Sequence, residues 1–402
     1  PPGQVATLIL PADVSWSEGA SPAAPPILPP LVPPAGERIE AVCRALRGAG
    51  NAAILLGGRA LREPGLMAAA RVASATGARL ICEVFPARFE RGAGLPSVER
   101  LAYVPELAST QLAGLTHLIL ADAKSPVTFF AYPGKDSDLV PSGCDVLELA
   151  EPAGDPVAAL EAVASAIGSG SVDGLLSPAR RPQAPTGALT GDSVCQAIGA
   201  VLPEGAIISD EAQTSGVKLA AATAGAPRHD LLALTGGAIG QGLPVAVGAA
   251  IACPDRPVLA LVADGSSLYT IQSLWTMARE GLDVTVVIFN NRSYGILNVE
   301  LSRVGARAAG PKARAQLDLG DPDVDFVSLA RGFGIPASQA DSGEDLVAAL
   351  RVAFARPGPH LVEVVIPTMF TPGQLRAMPY ALGALGKLPR PLAAALKRRL
   401  YP

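Results

Sequence analysis

The stretch from residue 258 to 297 constrains this chain more than any other. Residues 258–262 and 284–289 are apolar, β-rich runs of the kind that fill a parallel sheet covered on both faces. The first run breaks at Asp264-Gly265-Ser266, a tight turn that brings bare backbone amides to the strand's carboxyl end, where open α/β sheets bind ligands. Between the runs, Ile271, Leu274, Trp275 and Ala278 share one face of a helix that Gly281 stops. The second run ends in Asn290-Asn291, so a carboxylate and an amide oxygen stand side by side at the mouth of two adjacent strands. Two hard oxygen ligands, free N–H groups and a helix N-terminus suit Mg²⁺ carrying a diphosphate, because this cation keeps water and phosphate oxygens in most of its octahedral positions. The plainer reading makes Asp264 a helix cap and the asparagines turn residues.

Composition narrows the function classes. At about 150 residues per domain, the length suggests two to three domains. Hydrophobic residues make up 49% and charged residues 17%, which predicts large buried surfaces and interfaces between subunits. A net charge of −4 without a long basic run argues against nucleic acid as the main partner. No uninterrupted apolar stretch reaches the roughly 18 residues of a membrane span. Cys43, Cys82, Cys144, Cys195 and Cys253 are scattered through apolar runs and read as buried thiols of a cytoplasmic protein. No signal peptide is visible at the start.

Taken in order, residues 5–10 (VATLIL) read as a buried strand, followed by a proline-rich, extended linker over 21–36. From residue 37 to 170 helix and strand alternate, with helices near 38–46, 66–76 and 157–167 and strands at 53–56, 79–84, 117–121 and 146–149. This predicts a doubly wound, Rossmann-like parallel sheet. Gly57-Gly58 follows its first strand, but the G-x-G-x-x-G run and an acidic ribose partner are missing, so no nucleotide is required there. A second linker covers 171–190. A third unit, 191–368, opens with a helix at 191–201 and a strand at 206–209 leading into Asp210-Glu211-Ala212-Gln213-Thr214. Asp210 and Glu211 serve equally as crevice residues or as caps of the next helix. Residues 234–248 are dense in glycine, which permits close approach of backbone to a ligand or tight helix packing. A loop at 318–325, a helix at 326–333, a last strand at 361–366 and a terminal arm, 369–402, with Lys397-Arg398-Arg399 complete the chain.

The succession strand, Asp-Gly-Ser, amphipathic helix, strand, Asn-Asn and then Tyr294-Gly295 resembles the diphosphate-binding motif of thiamine-diphosphate enzymes, in wording close to the acetolactate synthase, benzoylformate decarboxylase and pyruvate oxidase group. The resemblance implies a thiamine-diphosphate-binding fold with Asp264, Asn291 and the Ser293 carbonyl as Mg²⁺ ligands. It places Gly265, Ser266, Tyr294, Gly295, Gln213 and Thr214 at the diphosphate. By the same match the Gly237 carbonyl takes the aminopyrimidine's amine, Ala238 lies beside it, and Ile239 is the wedge that keeps the cofactor bent. Ile296, at the cofactor's edge, and Leu297 would face the substrate. Ala263 departs from the pattern, because the family has glycine there, and an alanine is tolerable only if its φ is negative.

The resemblance also makes residues 1–20 the end of a pyrimidine-binding domain, whose glutamate, the group that protonates the aminopyrimidine, would lie in polypeptide outside these residues. It implies flavin (FAD) in some members and none in others, and a homodimer or homotetramer with the active site at a dimer interface. The substrate would be a small 2-oxo acid such as pyruvate. Simple decarboxylases of the group use histidines, whereas this chain has His117, His229 and His360, and residues 125–134 read SPVTFFAYPG where one relative carries a histidine. This favours acetolactate-synthase-like carboligation, with a benzoylformate-decarboxylase-type reaction and a non-catalytic or regulatory role as the alternatives.

Overall fold

The computed structural model describes residues 7–19, 21–24, 27, 30–48, 50–132, 134–150, 154–168, 170–305, 310–368, 370–385 and 392. In chain order the strands are β1 Ala52–Leu56, β2 Arg79–Cys82, β3 Phe89–Arg91, β4 Glu99–Arg100, β5 His117–Ala121, β6 Asp145–Ala150, β7 Ile207–Glu211, β8 His229–Ala233, β9 Val258–Ala263, β10 Val284–Asn290, β11 Ala337–Ala340 and β12 His360–Val365. Five of them form one sheet in the order β4-β2-β1-β5-β6, and the other seven form a second in the order β11-β12-β10-β9-β7-β8-β3. Every pairing is parallel except β3 with β8. The chain is thus an α/β protein of doubly wound parallel sheets, as the periodicity predicts.

Parallel strands are joined by crossovers that lay helices on both faces, so their side chains have no solvent side to turn to. Every residue of β1 and β10 is accordingly buried. In β1, Ile54 and Leu56 pack with Leu66, Val72 and Leu160 from the helices Glu63–Thr76 and Pro156–Ile167. Ala53 and Leu55 turn the other way, towards Leu107 and Leu112 of the helix Pro105–Leu112. The helix Gly191–Val201 has the predicted bounds, and its Thr190-x-x-Ser193 capping box explains why it starts there.

Several expectations are corrected. Residues 7–10 form no strand, and Leu8 and Ile9 are exposed; positions 1–6 lie outside the described residues. The helix after Asp264 is split, with a single turn at Asp264–Ser267 and a second helix at Ser273–Glu280. Leu274 and Met277 are buried and Ile271 and Ala278 pack against the same core, but Trp275 is exposed, with the Arg279 guanidinium 5.2 Å from its ring centre. Cys43, Cys82 and Cys195 are buried free thiols, but Cys144 and Cys253 are half-buried. His117, which opens β5, is half-buried, 3.9 Å from Asp145. In the terminal arm Pro372–Leu385 is a helix that buries Leu382 in the core carrying Leu107 and Leu112, and its Leu375 carbonyl accepts from the Ser302 hydroxyl at 2.6 Å. Lys397-Arg398-Arg399 falls outside the described residues.

Strand β3 was not expected. It leaves the first unit and pairs antiparallel with β8, closing the edge of the second sheet, and there Arg88 and Arg256 both grip Asp230, at 2.6 and 2.7 Å. Beside this pair His229 is buried, its Nδ1 at 2.8 Å from the Pro227 carbonyl and its Nε2 without a partner. Burial holds its pKa down to about 4. The folded chain thus binds a proton there less readily than the unfolded chain, and stability falls as pH drops from the ordinary histidine range towards 4. A His229→Gln variant is expected to lose less of its melting temperature between pH 7 and pH 4.5 than the parent; an identical loss would refute this.

Candidate functional site

The carboxyl ends of β7, β9 and β10 converge because these strands are neighbours in one parallel sheet, β10 beside β9 and β9 beside β7. At the end of β9, Asp264 is 2% exposed. Its Oδ1 accepts from the Gly265 amide at 2.8 Å, whereas Oδ2 is buried with no protein partner. Burial pushes its pKa up to about 6, and backbone amides of Gly265, Arg292, Ser293 and Asn291 pull the other way. Amides from two loops therefore surround a carboxylate whose second oxygen is left for something else. Ala263 has φ −73°, so the family's glycine is not needed at that position.

At the end of β10, Asn291 is buried, donates through Nδ2 to the Ser215 hydroxyl at 3.1 Å and accepts at Oδ1 from the Ser293 amide at 2.9 Å. The Ser293 carbonyl accepts from the Gly295 amide at 2.8 Å. Arg292 between them sits at φ 54°, in the left-handed region, with its amide donating to Asn290 Oδ1 at 3.2 Å. Tyr294 lays its ring over Gly265, where any Cβ would come within 2.4 Å of it, so glycine is a packing requirement at 265. Thr214 approaches Gly295, with its methyl 3.7 Å from where a Cβ would stand. Ser266 is buried beside Gly265. Gln213, by contrast, commits its amide inside the protein, donating to Asp210 Oδ2 at 2.8 Å and accepting from Arg100 at 2.7 Å.

The glycine-rich segment forms a loop at the same edge before the helix Gly242–Ala252. Gly236, Gly237 and Gly240 take φ values of 64°, 62° and 96°, which side chains disfavour, and Ala238 and Ile239 at the loop's tip are exposed. The Phe129 ring lies against Gly237, 2.5 Å from where a Cβ would be. Phe85, Tyr103 and Phe130 surround that ring at centroid distances of 5.9, 5.5 and 4.8 Å. Past Gly295, Ile296 is half-buried and Leu297 exposed on the helix Gly295–Arg303. Ser215 and this aromatic group escaped sequence reasoning; Ser215 sits next to a singled-out pair, whereas the rings come from separate loops.

The donor set is one carboxylate, one amide oxygen and one carbonyl, with no thiol or imidazole. It suits a hard cation that brings its own water or phosphate oxygens, and the partnerless Oδ2 is where such a cation would bind. Among the described residues no three His, Cys, Asp or Glu side chains gather into a metal cluster, and no helix is long and apolar enough to cross a membrane.

Comparison with known proteins bears on this site. The C-terminal TPP-binding domain of thiamine pyrophosphate enzymes matches residues 212–364, the span that carries all three loops. A Mycobacterium tuberculosis protein provisionally named acetolactate synthase large subunit IlvX is 56% identical over 367 residues, 91% of this chain and 70% of that protein. Benzoylformate decarboxylase of Pseudomonas aeruginosa is 38% identical over 33% of this chain and 24% of its own length. Among solved structures, the thiamine diphosphate-dependent 4-hydroxybenzoylformate decarboxylase of Rhodococcus jostii RHA1 superposes with a TM-score of 0.66 at 25% identity, covering 89% of this chain and 67% of that one. The fold is that of thiamine-pyrophosphate enzymes. Within that class, this chain belongs to the family of acetolactate synthase large subunits and benzoylformate decarboxylases.

Replacing Asp264 by alanine is expected to weaken Mg²⁺-dependent thiamine diphosphate binding at least about 100-fold. The melting temperature without Mg²⁺ should stay equal or rise, because a buried oxygen lacking a partner is removed. Calorimetry showing unchanged affinity would overturn this assignment.

Proposed function

We propose that this chain forms the Mg²⁺ and thiamine diphosphate site of an enzyme that decarboxylates a 2-oxo acid of the pyruvate class and joins the product to a second carbonyl compound, as acetolactate synthases do. The observation that carries the reading is Asp264 Oδ2, buried and partnerless among backbone amides at the mouth of β9 and β10. Asp264, Asn291 and the Ser293 carbonyl would hold the metal, while Gly265, Ser266, Thr214, Gly295 and Tyr294 would bound the diphosphate. Bound thiamine diphosphate supplies an electron sink for the pair left when a 2-oxo acid loses CO₂. The chain's own part would be to position and to keep water out: the Gly237 carbonyl and the Ile239 side chain would hold the pyrimidine half, and Ile296 and Leu297 would make the neighbouring surface apolar. Exposed Ile239, Leu268, Tyr269 and Leu297 cluster around this edge, and we assign them to an interface with a second subunit. The family's pyrimidine-binding glutamate would come from polypeptide beyond these 402 residues.

The aromatic group against Gly237 supports a second reading, in which a bulkier aromatic 2-oxo acid is decarboxylated without carboligation. Given Mg²⁺ and thiamine diphosphate, the 402-residue chain alone is expected to turn over neither pyruvate nor benzoylformate, and a version extended to its relatives' length is expected to consume pyruvate and form acetolactate. Benzoylformate turnover without acetolactate would favour the second reading, and cofactor binding with no turnover of any 2-oxo acid a non-catalytic role.

We assign no flavin to the first sheet. A nucleotide would approach between β1 and β5, where the strand order reverses. There a Cβ at Gly57 would stand 2.3 Å from the Asp122 carbonyl and one at Gly58 2.2 Å from its carboxylate, so Asp122 packs directly on the turn. Glu83 adds a second carboxylate, whose pKa burial and the Asp122 charge push up to about 7. The Asp122 carboxylate accepts from the Arg59 amide at 2.8 Å, so an amide at the start of this turn is already committed and not free for a phosphate. Titration of FAD into the protein is expected to leave flavin fluorescence unquenched at micromolar concentrations; saturable quenching would count against this.

A further inference from the structure

Glu211, the last residue of β7, is 2% exposed although it carries a carboxylate. Its side chain does not cap the segment that follows it. It crosses to the glycine-rich loop, where Oε1 accepts from the Gly240 and Gln241 amides and Oε2 from the Gly242 amide at 2.9 Å. The helix Gly242–Ala252 has no side-chain cap from its own N-cap residue, Gln241, so a neighbouring strand satisfies the amides left over at its start. Ser209, two residues back on the same face of β7, donates to the Gly242 carbonyl at 2.8 Å. Gly242 has to be glycine for this contact, because a Cβ there would stand 2.6 Å from Glu211 Oε2. The far side of Gly240 is held as well, its carbonyl accepting from the Thr270 hydroxyl at 2.8 Å.

The anchored peptide follows directly on Gly237, Ala238 and Ile239, at the exposed tip of the loop. Within the loop the Gln241 side chain donates to the Thr235 and Ala238 carbonyls, both at 2.8 Å, so the residue whose amide Glu211 holds also ties the tip together. Resting on the cofactor reading above, we propose that Glu211 is a positioning residue, fixing the glycine-rich loop so that the Gly237 carbonyl and the Ile239 side chain meet the aminopyrimidine half of thiamine diphosphate. Three amides converging on one buried carboxylate make a stronger anchor than neutral acceptors would, because charge-assisted hydrogen bonds are about twice as strong.

The test separates anchor from cofactor. In hydrogen–deuterium exchange without ligand, Glu211→Ala should expose the amides of Gly240, Gln241 and Gly242 to exchange about tenfold faster or more, with Glu211→Gln in between. In calorimetry with Mg²⁺, Glu211→Ala should lose about tenfold in affinity for thiamine diphosphate and none for inorganic diphosphate, which touches other loops. Unchanged exchange overturns the anchor. Equal loss for both ligands, together with a lowered melting temperature, reduces Glu211 to general stability and overturns the positioning role. Should the parent bind no thiamine diphosphate, the cofactor reading and the positioning role both fail, while the exchange arm still decides whether Glu211 holds the loop. If the alanine variant does not fold, the same comparisons on Glu211→Gln and Glu211→Asp decide the matter.

Discussion

Asp264 sets the terms for the carboxyl edge of the second sheet. A carboxylate taken out of water is costly unless something answers its charge, and here one oxygen accepts from the Gly265 amide, with other loop amides nearby, while the second has no hydrogen-bond partner among the described residues. The surrounding features fall in line with that cost. Arg292 adopts a left-handed conformation in the loop beside the carboxylate. Tyr294 covers Gly265 and keeps the turn dry, and Asn291 is held by Ser215 and by its own Asx turn. A site built this way is rigid before any ligand arrives.

Two further carboxylates at this edge show how alternation along a strand divides labour. Asp210 and Glu211 are consecutive, so they leave β7 on opposite sides. Asp210 turns to the Ala212 amide and to Gln213, which ties the loop to Arg100 of the first sheet's β4. Glu211 turns to the glycine-rich loop. Neither forms an ion pair with the other's partners, and each helps fix a different loop of one crevice.

What was legible in the sequence is what local pattern controls. The buried strands β1, β5, β9 and β10 stood out because both faces are covered and their apolar runs are unbroken. Asp264, Gly265 and Asn291 stood out because turn chemistry punctuates those runs. Strands β3 and β11 did not, because Phe-Glu-Arg and Ala-Ser-Gln-Ala at sheet edges carry no apolar period. Trp275 was misplaced because the core-facing arc centres on Leu274, Met277 and Ala278, and Trp275 lies about 100° round the helix from Leu274. The aromatic group at Phe129 and the reach of Glu211 to Gly242 depend on tertiary placement, over separations that no periodicity records.

Strand β3 has a consequence of its own. It belongs by position to the first unit, yet its hydrogen bonds close the second sheet, and Arg88 beside it reaches Asp230. An exposed outer strand invites pairing with other chains, and borrowing a strand from the preceding unit shields β8 from that fate. The same loan makes the two units inseparable as building blocks. A recombination event that exchanged the first unit would strip the second of its selvage, so descendants of this architecture should inherit the pair together.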